Sequence, residues 1–160
     1  MVVDFLQMLQ DSAFGVWVST SPSLFAYPTI LMLHTVGLAM VVGPNTVLNL
    51  RLLGAGRRIP LESLRPVFGV MVLGFAVNAS TGLALFISEA AEKGTSPVFW
   101  IKLTVIAVAL LVARRMKRDL YGPAAPPANA VAGRLKVLAV LSLCLWLGAI
   151  FAGRLMAYVN

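Results

Sequence analysis

Between Leu24 and Leu50 the chain carries no charged side chain apart from the ionisable ring of His34, and Arg51 then opens the polar stretch RLLGAGRR. Three further apolar runs follow, Val67 to Ser88, Pro97 to Ala113 and Val137 to Tyr158, separated by charged or Pro-rich segments. A helix that crosses a hydrocarbon core ~30 Å thick needs about 20 apolar residues, because it rises ~1.5 Å per residue. The pattern therefore predicts an all-α, four-helix membrane bundle with spans near 24–50, 67–88, 97–113 and 137–158, a linker at 114–136, and one domain over 1–160. Ahead of the first span, Phe5, Met8, Leu9 and Val16 recur near helical spacing while Asp4, Gln7 and Asp11 take the other side. That amphipathicity predicts a helix over about 4–18 lying in the membrane interface. With an aspartate at position 4 and no basic stretch before the first apolar run, the sequence does not read as a cleaved leader.

Composition agrees with this pattern. Of 160 residues, 59% are hydrophobic and 12% charged, and the mean hydropathy is +0.89; soluble domains carry about 25% charged residues. The net charge of +7 is distributed unevenly. Arg51, Arg57, Arg58, Arg65, Arg114, Arg115, Lys117, Arg118, Arg134 and Lys136 fall between spans one and two or between three and four, whereas Lys93, Lys102 and Arg154 fall toward the other side. Ten cations against three predict that the basic loops are cytoplasmic and both termini periplasmic. Positive charge placed beside spans marks topology rather than nucleic-acid binding. Cys144 is the single cysteine, inside span four, and reads as packing. The stretch YGPAAPPANAVAG, 121–133, reads as an irregular linker.

Polar residues within the spans narrow the chemistry. His34, Lys102, Arg154 and Glu89 share the outer half of the predicted bundle, and Asn78, Ser80 and Thr81 bring hydrogen-bonding groups to mid-depth of span two. Exposing such groups to lipid costs several kcal/mol each, so they are expected to face the bundle interior or a wet cavity. The simplest arrangement is an outward-opening pocket formed by His34, Asn78, Thr81, Lys102 and Arg154, with Phe25, Tyr27, Phe99, Trp100 and Tyr158 as its rim or as an aromatic belt. His34 is suited to ligating a metal such as haem iron, bonding a quinone carbonyl, relaying a proton, or hydrogen-bonding a neighbouring helix through a residue such as Asn78. Lys102 reads either as a snorkelling anchor or as an anion contact, with Glu89 a candidate partner. Met32, Met40, Met71, Met116 and Met156 are scattered and read as packing rather than as a copper site. GLAMVVG (Gly37 to Gly43) and FGVMVLG (Phe68 to Gly74) place small residues for close helix approach, and Pro44 is a candidate kink. No phosphate-binding loop, dinucleotide fingerprint, HExxH or GxSxG motif is present, and no inverted repeat is evident.

With LHTVGLAMVVGPNTVLNLRLLG, STGLALF and PVFWIKL in view, the chain resembles a bacterial family of uncharacterised small four-span integral membrane proteins, over spans one to three. The shared order is an LHxxG helix, an LRLLG exit, a TGxxxF helix and an FxxK start, carried here by His34, Gly37, Arg51, Thr81, Gly82, Phe99 and Lys102. It is more distantly similar to four-helix membrane cytochromes and copper-resistance-type membrane domains, in which LHxxG helices supply a haem or metal ligand. Here no second histidine exists for a bis-histidine haem. Residues and resemblance together lead to the expectation of a non-catalytic membrane subunit or anchor of an inner-membrane redox complex, its periplasm-facing pocket holding haem b or quinone. Lipid, other membrane or periplasmic subunits, or further copies of the chain are the expected partners. A small transport or channel component and a purely structural protein are the alternatives.

Overall fold

The computed structural model describes residues 1–123, 125, 133–156 and 158, and among them it contains helices and turns but no strand. Seven α-helices follow one another: α1 (Val2–Gln10), α2 (Ala13–Thr20), α3 (Tyr27–Leu53), α4 (Val67–Ser88), α5 (Ala90–Thr95), α6 (Pro97–Tyr121) and α7 (Gly133–Leu155). Four of them, α3, α4, α6 and α7, are long and apolar enough to cross a membrane, so the chain is a multi-pass, all-α membrane bundle.

Local signals set the ends. Ser12 caps α2, its Oγ accepting from the Gly15 N–H at 3.1 Å. This cap, with the turn at Asp11, divides the single amino-terminal helix predicted over 4–18 into two. Pro28 lies in the first turn of α3, where its missing N–H costs nothing, and Gly54 ends the helix in the left-handed region at φ 110°. Two bonds close that end, Gly54 N–H to Arg51 O at 3.2 Å and Ala55 N–H to Leu50 O at 2.9 Å. The helix continues through Pro44. At the other membrane face α6 runs past Ala113 to Tyr121, and α7 starts at Gly133 rather than Val137, so the linker expected over 114–136 is largely helical at both its ends. The hydrophobic stop locates where hydrocarbon ends; backbone hydrogen bonding carries the helices beyond it into water. Most of the Pro/Ala segment 121–133 lies outside the described residues. Cys144 faces outward from the bundle instead of packing inside it.

The closest helix pair is α3 with α4, followed by α6 with α7, and α3 joins the two hairpins by packing on α7. Gly37 and Gly74 explain the first contact. A Cβ on Gly37 would lie 2.6 Å from the Asn78 backbone nitrogen, and one on Gly74 would lie 2.5 Å from Met40 Cβ. Gly43 and Gly69, the partner glycines of the same two motifs, have nothing within 4 Å. Two apolar clusters fill the bundle. One, toward the basic end, gathers Leu48, Leu52, Leu61, Phe68, Met71, Met116, Leu120, Leu135 and Ala139; the other gathers Val41, Ala109, Trp146 and Ala149. Aromatic pairs tie α4 to α6 near both ends, Phe86 stacked on Phe99 at 5.0 Å and Phe68 edge-on to Tyr121 at 5.9 Å. Asp119 further joins α6 to α7, lying 3.5 Å from Arg115 and 3.2 Å from Arg134.

The amino-terminal helices are pinned to the bundle. α1 packs on α5 and α2 on α4. Gln10 Oε1 accepts from the Ala91 N–H at 3.0 Å, Val18 is fully buried, and Leu6 fills the space over Gly94. Gly37→Val is expected to destabilise the bundle by about 1–3 kcal/mol, because the added side chain overpacks a backbone-to-backbone contact. Gly43→Ala is expected to be neutral or to gain up to about 1 kcal/mol. Unfolding in detergent followed by circular dichroism separates the two.

Candidate functional site

α3 and α4 approach closely enough for polar groups to bond directly between them. His34 Nδ1 lies 2.9 Å from the Asn78 carbonyl oxygen and 3.2 Å from Thr81 Oγ1. Asn78 Nδ2 in turn donates to the His34 carbonyl oxygen at 2.8 Å and lies 3.3 Å from the ring Nδ1. The two residues thus exchange main-chain and side-chain bonds across one helix contact. Gly82 completes the seat: a Cβ there would lie 3.0 Å from His34 Cε1, so the imidazole rests against bare backbone of α4 and would have to give by a few tenths of an ångström to admit a side chain.

The network also assigns the tautomer. A main-chain carbonyl can only accept, so at 2.9 Å the Nδ1 position carries the proton and donates it to Asn78 O. Thr81 directs its own hydroxyl proton to Val77 O at 2.6 Å, which leaves its oxygen free to accept as well. In the neutral ring Nε2 is then the nitrogen with the lone pair, and it has no hydrogen-bond partner among the described residues. A backbone carbonyl holding Nδ1–H is the arrangement that orients a histidine to act through Nε2.

Lys102 approaches from α6. Its side chain lies over Gly153 of α7, where a Cβ would come within 3.4 Å of Nζ. It is half-buried and forms no ion pair among the described residues. Glu89, considered as its partner from sequence, instead sits 3.7 Å from Lys93. Arg154 is placed differently. It follows Gly153, but its guanidinium is exposed, donates to Tyr158 Oη at 3.0 Å and lies 5.3 Å from that ring's centroid.

His34, Asn78 and Thr81 are therefore in direct contact, Lys102 lies on the other hairpin against Gly153, and Arg154 joins Tyr158 at the surface. Of the expected rim, Phe25, Trp100 and Tyr158 point outward, while Phe99 stacks on Phe86, the aromatic residue of the TGxxxF stretch. No group of three or more His, Cys, Asp or Glu side chains that could hold a metal occurs among the described residues. Met71 and Met116 are buried in the apolar cluster toward the basic end and Met32 is exposed. Sequence reasoning also passed over Asn49, Ser142 and Trp146, which with Asn45 form a buried polar group between α3 and α7; their i, i+4 spacing was the available signal.

If the imidazole is bonded to Thr81 as described, His34→Ala and Thr81→Val are coupled. A double-mutant cycle on unfolding free energy is expected to return about 0.5–1.5 kcal/mol. Simple additivity would show that the contact contributes nothing.

No protein-family model matches the chain, and neither a curated protein nor a solved structure matches it significantly.

Proposed function

We propose that the chain is a non-catalytic membrane subunit or anchor of a bacterial inner-membrane redox assembly, and that His34 and Lys102 together engage the polar head group of a quinone. The observation that carries this reading is an imidazole whose Nδ1 proton is bonded to Asn78 O and whose Nε2 has no partner among the described residues, together with a Lys102 ammonium on the other hairpin that forms no ion pair among them. In hydrocarbon both are expensive to maintain without a polar partner. The two groups are chemically complementary to a quinone in its two states. Nε2 accepts a hydrogen bond from a head-group hydroxyl, and Lys102 donates to a carbonyl oxygen or steadies negative charge on it. Asn78 and Thr81 act as positioning residues, since they hold the ring rather than the ligand.

The donor set suits a quinone better than haem b. His34 would supply one axial nitrogen, but the chain has no second histidine, and Met71 lies in the packed cluster toward the opposite end of the bundle. Arg154, exposed and already bonded to Tyr158, is better placed to meet the acidic surface of a partner subunit than to reach the head group. The ten cations flanking the Gly54 and Gly133 ends of the spans support a cytoplasmic location for that end, and hence a periplasmic one for the His34 end and both termini.

Two measurements test this. A short-chain quinone titrated into purified protein is expected to bind, with His34→Ala and Lys102→Met each weakening it about tenfold, the worth of one hydrogen bond near 1.4 kcal/mol. Unchanged binding in both variants, or none in the wild type, overturns the assignment. Alkaline phosphatase joined after the last residue is expected to be active in intact cells; an inactive fusion reverses the orientation.

A further inference from the structure

Four polar atoms deep in the bundle have no hydrogen-bond partner among the described residues: Asn45 Nδ2, Asn49 Nδ2 and Oδ1, and Trp146 Nε1. Their residues are 1%, 0% and 3% exposed, and Ser142 beside them is 0% exposed. Ser142 Oγ donates to Asn45 Oδ1 at 3.1 Å, which fixes the register of α3 against α7. The two helices run in opposite directions along the bundle. Asn49 therefore lies one turn from this bond toward the basic end and Trp146 one turn the other way, a polar band about 11 Å long at a pitch of ~5.4 Å per turn. Apolar residues surround it, Leu48, Val41 and Ala139 beside it, Leu52 and Leu135 beyond it toward the basic end, and Ala149 beyond it on the other.

Each orphaned group in such surroundings costs about 1–3 kcal/mol. Four of them together rival the 5–15 kcal/mol that typically holds a whole protein folded. A partner is required, and chemistry selects it. The indole N–H and the amide NH2 groups only donate, while the amide oxygens only accept. An anion would leave Asn49 Oδ1 unmet and a cation would leave Trp146 unmet. Turning Asn45 end for end merely exchanges an orphaned donor for an orphaned acceptor, and turning Asn49 leaves both of its ends unmet. Water both donates and accepts, and it is the smallest molecule that does so.

Each of these atoms is fully buried, so water reaches them only when the helices around them separate. The fold provides that freedom, because α3 packs more closely on α4, and α7 on α6, than α3 and α7 pack on each other. We infer that Asn45, Asn49, Ser142 and Trp146 form a water-binding site at the joint between the two helical hairpins, hydrated as the hairpins part. This site is separate from His34 and stands whether or not a quinone binds there.

Cysteine accessibility tests it in the full chain reconstituted in lipid, in a Cys144→Ala background. A charged methanethiosulfonate reacts with the ionised thiol, and burial in apolar surroundings raises a thiol's pKa. Asn49→Cys and Ser142→Cys are expected to react at least about tenfold faster than Leu48→Cys and Ala139→Cys, since one pKa unit is a tenfold change in thiolate. Equal rates overturn the inference. Should the cysteine variants fail to accumulate, water-edited NMR of the wild-type chain with isotope-labelled tryptophan gives an independent reading, the Trp146 signal being identified by its loss in Trp146→Phe. Transfer from water to the Trp146 indole proton is expected, and a dry indole overturns the site.

Discussion

The contact between α3 and α4 at Gly37 and Gly74 is the constraint from which the rest of the bundle follows. In lipid there is no hydrophobic drive between helices, so association relies on close packing and on polar groups that need one another. Two glycines bring the backbones together, and only at that separation can His34 and Asn78 reach each other's main-chain carbonyls. A larger side chain at either glycine would part the helices and leave the His34 ring and the Asn78 amide without each other in hydrocarbon. Packing and polarity are thus one device: the close approach creates the bonds, and the bonds make the close approach specific.

That device also gives the imidazole its chemical character. A histidine free to rotate would present either nitrogen, whereas here the carbonyl of Asn78 holds one ring proton and Gly82 provides the floor on which the ring lies. Lys102, on the opposite hairpin, is held over Gly153. The proposed head-group site therefore spans the two hairpins, while the residues that orient its histidine lie entirely within one of them. Movement at the α3–α7 joint would alter the distance between His34 and Lys102 without disturbing the imidazole's tautomer.

Much of this architecture was legible in the sequence, for a physical reason. Hydrocarbon demands uninterrupted apolar length, and that demand writes itself into the chain at Leu24–Leu50 and in the three later runs. Helix ends were less legible, because Arg114 to Arg118 mark where lipid stops and not where the backbone stops coiling; α6 continues to Tyr121. The division at Asp11 and Ser12 was visible as a cap only once the turn was known. His34 and Asn78 could be paired in advance, since two mid-depth polar residues on adjacent spans have few other partners. Arg154 could not be placed, because its nearest partner, Tyr158, is one turn further along the same chain end. The Asn45–Ser142 bond joins residues 97 apart in sequence, and nothing local announces it.

The crowding of cations at one end has a consequence for how copies of the chain can coexist. Carrying Lys or Arg through the centre of a bilayer costs about 2.5–3.5 kcal/mol for each side chain. Ten of them flank the spans at a single end, three lie toward the other, and Asp119 holds only Arg115 and Arg134. In the proposed orientation that cost favours neighbouring copies in one bilayer standing the same way up, and it opposes an antiparallel pair in which one chain supplies the inverted half of its twin.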